Sequence, residues 1–135
     1  MRFVLFGMQI IVMETKFNFK SQICTSRVQS ERLLALGLKK ETADMHWRLQ
    51  PYYNDEGFDC GLEWSYNIGT FLQEDAYELF LDYIPAWSLG RLIEITLNET
   101  WNEVAFERDV NPYEQMIKGI EWLITEGYFS KEYLD

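Results

Sequence analysis

Tyr83-Ile84-Pro85-Ala86-Trp87-Ser88-Leu89-Gly90-Arg91-Leu92-Ile93-Glu94-Ile95-Thr96-Leu97 passes from a strand, closed by Pro85, into a helix with Ser88 as N-cap. Leu89, Leu92, Ile93 and Leu97 recur at helical spacing and mark the face the helix buries. A strand handed directly to a helix sets how a sheet meets its covering layer. The stretch therefore speaks for a fold of helices on a sheet, and it contains no catalytic signature.

Just upstream, Leu62, Trp64, Tyr66 and Ile68 alternate with Glu63, Ser65 and Asn67, the clearest period-two pattern in the chain. Tyr77, Leu79, Leu81 and Tyr83 resume the alternation after the polar turn Gln73-Glu74-Asp75, and Phe80 and Ile84 give that strand a second apolar face. The two segments are expected to pair as an antiparallel hairpin, with 77–84 as a central strand. Before them, His46-Trp47-Arg48-Leu49 reads as a short strand halted by Pro51, and residues 52–61 as a loop rich in carboxylates and tyrosine.

Helices flank these strands. Thr25 or Ser26 caps a first helix running to about Leu36, with Val28, Leu33, Leu34 and Leu36 as its stripe. Gly37 supplies the left-handed residue that ends it, and Leu38 folds back on Leu33. After an expected edge strand at 104–108, Asn111-Pro112-Tyr113-Glu114 places Asn at N-cap, Pro at N1 and Glu at N3 for a capping box. Met116, Ile117, Ile120, Leu123 and Ile124 continue on one face until Gly127. The order α, β, β, β, α, β, α places the chain in the α+β class: a mainly antiparallel sheet of three to five strands with two or three helices packed on one face.

At 135 residues, 47% hydrophobic and 16% aromatic, the chain suits one packed domain and no more. The net charge of −10 is unevenly placed: residues 1–40 hold seven basic and two acidic side chains, and residues 41–135 five basic and twenty acidic. An acidic body repels phosphate backbones and lacks the counterion-release drive of nucleic-acid binding, so no nucleic acid is expected as partner. Two cysteines without a Cys-x-x-Cys spacing, Cys24 and Cys60, read as free thiols in a reducing, cytoplasmic compartment.

Arg2 and the apolar run Phe3–Val12 resemble the start of a signal peptide, but Glu14-Thr15-Lys16 follow in place of a small-residue cleavage site. The run is also too short for a spanning helix, which needs about 20 apolar residues, so no membrane is expected. Residues 1–12 are read as an extension ahead of a true start at Met13, or as an ordinary N-terminal strand, with residues 13–135 forming the single domain.

Leu36-Gly37-Leu38, Thr42-Ala43-Asp44-Met45, Tyr83-Ile84-Pro85-Ala86-Trp87-Ser88-Leu89 and the closing Glu126-Gly127-Tyr128 resemble a family of small uncharacterised Bacteroidales proteins. Members of that family often lie near phage or other mobile-element genes and begin close to the first helix. The resemblance covers most of residues 25–130 and implies a mobile-element setting. It brings no activity, cofactor or catalytic residue with it.

Asp55, Glu56 and Asp59 offer hard oxygen ligands, though not at calcium-loop spacing. Cys60, His46 and a neighbouring carboxylate are the parts of a thiol nucleophile without its signature. Glu74, Asp75 and Glu78 are read as solvating an edge rather than as an acid–base pair. No cofactor motif is present. Among the aromatics, Trp64 and Tyr66 are read as core and Trp87 as a packing anchor, whereas Trp47, Tyr52 and Tyr53 beside Asp55, Glu56 and Asp59 are the candidate binding surface. The leading expectation is a non-enzymatic acidic interaction protein that binds a protein partner. A metal-dependent or thiol hydrolase using loop 52–60 is the alternative.

Overall fold

The computed structural model describes residues 2–6, 9–13, 21–70, 80–96 and 110–135, the first two ranges as backbone alone. Their elements run β1 (Arg2–Phe6), β2 (Gln9–Met13), α1 (Arg27–Ala35), β3 (Met45–Tyr53), β4 (Asp59–Ile68), β5 (Asp82–Ala86), α2 (Leu89–Thr96) and α3 (Pro112–Thr125). The class is α+β, with a three-stranded antiparallel sheet and three helices. β1 and β2 pair antiparallel in a separate two-stranded sheet, so the boundary expected at Met13 falls inside β2. Among the described residues no helix is long and apolar enough to cross a membrane.

The main sheet has the order β4-β3-β5, which corrects the expected pairing. The 62–68 strand does not pair with the strand that ends at Ala86; each lies on one side of β3, with Trp47 opposite Tyr66 and also opposite Ile84. Among the described residues β3 is therefore the central strand, and β5 an edge. Edge position also explains Pro85, whose missing N–H costs no ladder bond on an open side. β3 is not halted by Pro51 either. β5 reaches only as far as Leu49, so beyond that point β3 has β4 on one side alone among the described residues, and Pro51 is tolerated there next to a bulge.

The helix boundaries follow local chemistry. Ser26 caps α1 in a full capping box with Gln29, accepting the Gln29 N–H at 3.1 Å while Gln29 Oε1 accepts the Ser26 N–H at 3.0 Å. At the other end Gly37 has φ +97°, Leu38 N–H donates to Leu33 C=O at 3.2 Å and Gly37 N–H to Leu34 C=O at 3.0 Å, the paired bonds of a Schellman ending. Gly127 ends α3 the same way, with Tyr128 N–H on Leu123 C=O. The box expected at Glu114 does not form as such. Asn111 accepts the Tyr113 and Glu114 N–H groups, and the Glu114 carboxylate crosses to α1, where it takes Arg32 Nη1 at 2.7 Å and Gln29 Nε2 at 2.8 Å. That contact helps bury Gln29, while Ser30 is buried against Thr25 Oγ1 at 2.7 Å; of the expected apolar stripe Leu33, Leu34 and Leu36 pack on the core and Val28 alone is exposed.

Trp87 sits fully buried where strand gives way to helix, among Leu33, Leu38, Leu92, Ile117 and Ile120. Its polar atoms are satisfied from two other elements: Nε1–H donates to Thr42 Oγ1 at 2.9 Å, the backbone N–H to Thr25 Oγ1 at 3.1 Å, and the carbonyl accepts Thr25 N–H at 2.8 Å. Ser88 caps α2, accepting the Arg91 N–H, and is itself held by Asp44, which accepts from both its N–H and its hydroxyl. In α2 the buried positions are Leu92, Ile95 and Thr96, with Leu89 and Ile93 packed around them. The expected edge strand 104–108, the turn at 73–75 with Glu74, Asp75 and Glu78, Leu97 and Trp101 lie outside the described residues.

Candidate functional site

Past Leu49, where β5 stops, β3 and β4 continue, among the described residues, as a two-stranded ribbon closed by residues 54–58. The segment expected to be a loop over 52–61 is thus half strand, with only 54–58 left as loop. Asn54 builds its turn: the side-chain Oδ1 accepts the Glu56 N–H at 3.0 Å and the Phe58 N–H at 2.9 Å, and the backbone carbonyl accepts Gly57 N–H at 2.9 Å. Gly57 supplies the left-handed residue, φ +84°. One bulge follows, in which Cys60 and Gly61 together face Tyr52, and Gly61 at φ +100° meets the demand for a left-handed backbone there. Asp59 Oδ1 accepts the Gly61 N–H at 2.8 Å and holds the bulge.

All six expected binding residues belong to this hairpin, though not to one spot. Tyr52, Tyr53, Asp55, Glu56 and Asp59 crowd its outer end and are exposed, joined by Phe58 and Leu62, which sequence reasoning passed over. Residues 50–63 carry four carboxylates and no basic side chain. Trp47 lies at the base, about 20 Å away at strand spacing. It is half-buried rather than exposed, its indole N–H donating to Thr25 C=O at 2.8 Å and its ring meeting Tyr66 edge-on at 5.4 Å.

Trp64 and Tyr66, expected in the core, are instead on the sheet face beside the start of α1. Tyr66 is exposed, and Trp64 is half-covered by the Arg27 guanidinium 4.7 Å above its ring. Two shallow depressions of about 500 and 330 Å³ meet at Trp47, one lined by Arg27, Glu31 and Trp64, the other by Gln22, Cys24 and Tyr66. The signal for this exposure was present in the short α1 and its polar first turn, which cover only part of a strand ten residues long.

The parts of a hydrolase do not converge. His46 is buried, its Nδ1 2.9 Å from Gly69 C=O and its ring against Phe80 and Tyr83. It stands opposite Asn67, seven residues along β4 from Cys60, hence about 23 Å from it at strand spacing. Burial, with Asp44 adding to it, pushes the Cys24 thiol up to about 11, the opposite of an activated nucleophile. Among the described residues no three His, Cys, Asp or Glu side chains are grouped to hold a metal.

Comparison with protein-family models, with curated proteins and with solved structures gives no match to this chain.

Proposed function

We propose that this chain is a small acidic accessory protein, of the mobile-element setting its sequence resemblance implies, which works in the cytoplasm by binding a protein partner through the outer end of the β3–β4 ribbon. One observation carries the reading: Tyr52, Tyr53 and Phe58 are all exposed on a ribbon whose residues 50–63 hold four carboxylates and no basic side chain. Exposed aromatic rings supply rigid contact area, and exposed carboxylates on the same ribbon suit a basic surface. The ribbon's turn is locked by its own hydrogen bonds, so little conformational freedom is lost on binding.

The test is affinity capture from the native host at low and high salt, comparing the wild type with two variants. Tyr52→Ser/Tyr53→Ser/Phe58→Ser removes the rings; Asp55→Asn/Glu56→Gln/Asp59→Asn removes three of the four charges and keeps the acceptor that Asp59 offers Gly61. A partner held at low salt, released at high salt and lost from both variants is the expected result. A partner indifferent to salt or kept by both variants, or no specific partner at all, refutes it.

A further inference from the structure

The outer edge of β4 faces no strand among the described residues, although β4 is ten residues long and free of proline and lysine. Natural sheets rarely leave such an edge open, because unpaired N–H and C=O groups template pairing with another chain; here Asn67 Oδ1 takes the Ile68 N–H at 2.8 Å, and pairing there exchanges that bond for one across the seam. The side chains along it are open as well: Leu62 is 61%, Tyr66 48% and Ile68 81% exposed.

The sequence of this edge is self-complementary. Reading outward from Ser65, Trp64 mirrors Tyr66, Glu63 mirrors Asn67, and Leu62 mirrors Ile68. A two-fold axis normal to a sheet keeps both copies' faces on the same side, so it must pass through a residue rather than between two. With the axis at Ser65, Trp64 stands opposite the other copy's Tyr66 and Leu62 opposite its Ile68, each contact occurring twice. The sole charge in the segment, Glu63, meets neutral Asn67, whereas an axis at Glu63 would set two carboxylates face to face.

We infer that β4 is the seam of a homodimer, two copies pairing antiparallel edge to edge about Ser65 so that their three-stranded sheets become one of six. The seam leaves Tyr52, Tyr53 and Phe58 at the ribbon's tip free for a partner and overlaps that end of the ribbon only at Leu62 and Glu63. Seven paired residues make a contact about 24 Å long. Both copies together bury on the order of 1,000 Å², at the low end of specific interfaces, so the dimer forms in the micromolar range. Each copy carries −10, and added salt screens that repulsion and tightens the dimer. Salt thus acts on self-association with the opposite sign to its effect on the partner contact.

Sedimentation of the full chain at about 100 μM, above the dissociation constant that such a seam implies, reads the equilibrium directly. Tyr66→Lys/Ile68→Lys, at exposed positions, should raise the dissociation constant at least about tenfold. In a Cys60→Ser background, Ser65→Cys should form a disulfide-linked dimer on mild oxidation, because two-fold pairing brings the two Cα atoms within bridging range, about 5 Å. Asn67→Cys should not, its two copies lying about 14 Å apart. A monomer at that concentration, a dimer unmoved by the lysines, or Asn67→Cys linking as readily as Ser65→Cys overturns the inference.

Discussion

Replacing Trp87 tests whether the strand-to-helix junction is held by the indole as a whole or by its apolar area alone. Trp87→Phe leaves a void on the order of 40 Å³, which at about 24 cal/mol per Å³ costs about 1 kcal/mol. The lost apolar transfer adds about 1 kcal/mol, and the lost bond to Thr42 about 1 kcal/mol more. The expected cost is therefore about 3 kcal/mol. Thr42→Val keeps the shape but strips the hydroxyl, which accepts from the indole and donates to Lys39 C=O at 2.6 Å. It also leaves the Nε1–H of a fully buried ring without an acceptor, for a total of about 2–4 kcal/mol. In the double variant that orphaned N–H no longer exists. The two changes together should cost about 1–2 kcal/mol less than their sum. Urea unfolding followed by far-UV circular dichroism measures all four corners of the cycle without relying on the altered fluorophore. Additivity to within about 0.5 kcal/mol would refute a coupled Trp87–Thr42 contact.

Glu114 gives a pH prediction. Its bonds to Arg32 first, and then to Gln29, hold the carboxyl below its ordinary value of 4.5, so it binds fewer protons folded than unfolded. The stabilisation is complete above the ordinary value and is lost as pH falls through the lowered one. Wild type should exceed Glu114→Gln by less than about 1 kcal/mol near neutrality, because the pair is partly exposed, and the gap should close in acid; a gap that widens in acid contradicts the sign. At pH 8 iodoacetamide should add one group to the native protein, at exposed Cys60, and a second at Cys24 only after unfolding, as intact mass would record. Gly37→Ala should destabilise by about 1 kcal/mol through backbone strain alone, since nothing lies within 4 Å of the added methyl. Gly90→Ala, in the first turn of α2 with only Ser88 Oγ at 4.0 Å, should instead stabilise by about 0.5–1 kcal/mol; paired melting curves distinguish the two.

What could be read from the chain alone was whatever a few neighbouring residues decide among themselves. Ser26, Gly37, Asn111-Pro112 and Gly127 each satisfy or release backbone groups within one helical turn, so the helix ends were legible. The class followed from the same local signals. Ser88 was legible as an N-cap, but the Asp44 that holds it is forty-four residues away.

Strand partnership depended on distance in space. The 62–68 strand was expected to pair forward with 77–84, and the closing turn decided against it: Asn54 and Gly57 build a tight connection to β3, and a short loop costs less entropy to close than the longer one to β5. Pro51 misled because its effect depends on whether a third strand lies alongside, and β5 ends two residues short of it. Side-chain exposure depended on the same arrangement. The alternation of Leu62, Trp64, Tyr66 and Ile68 correctly indicates one shared face, but an apolar face is buried only where another layer reaches it, and α1 covers just its middle. The sequence by itself settled capping, turns and class, because those energies are local. Tertiary structure alone decided which strand is central, which carboxylate bridges two helices and which aromatic rings stay in water, because each depends on residues brought together from distant parts of the chain.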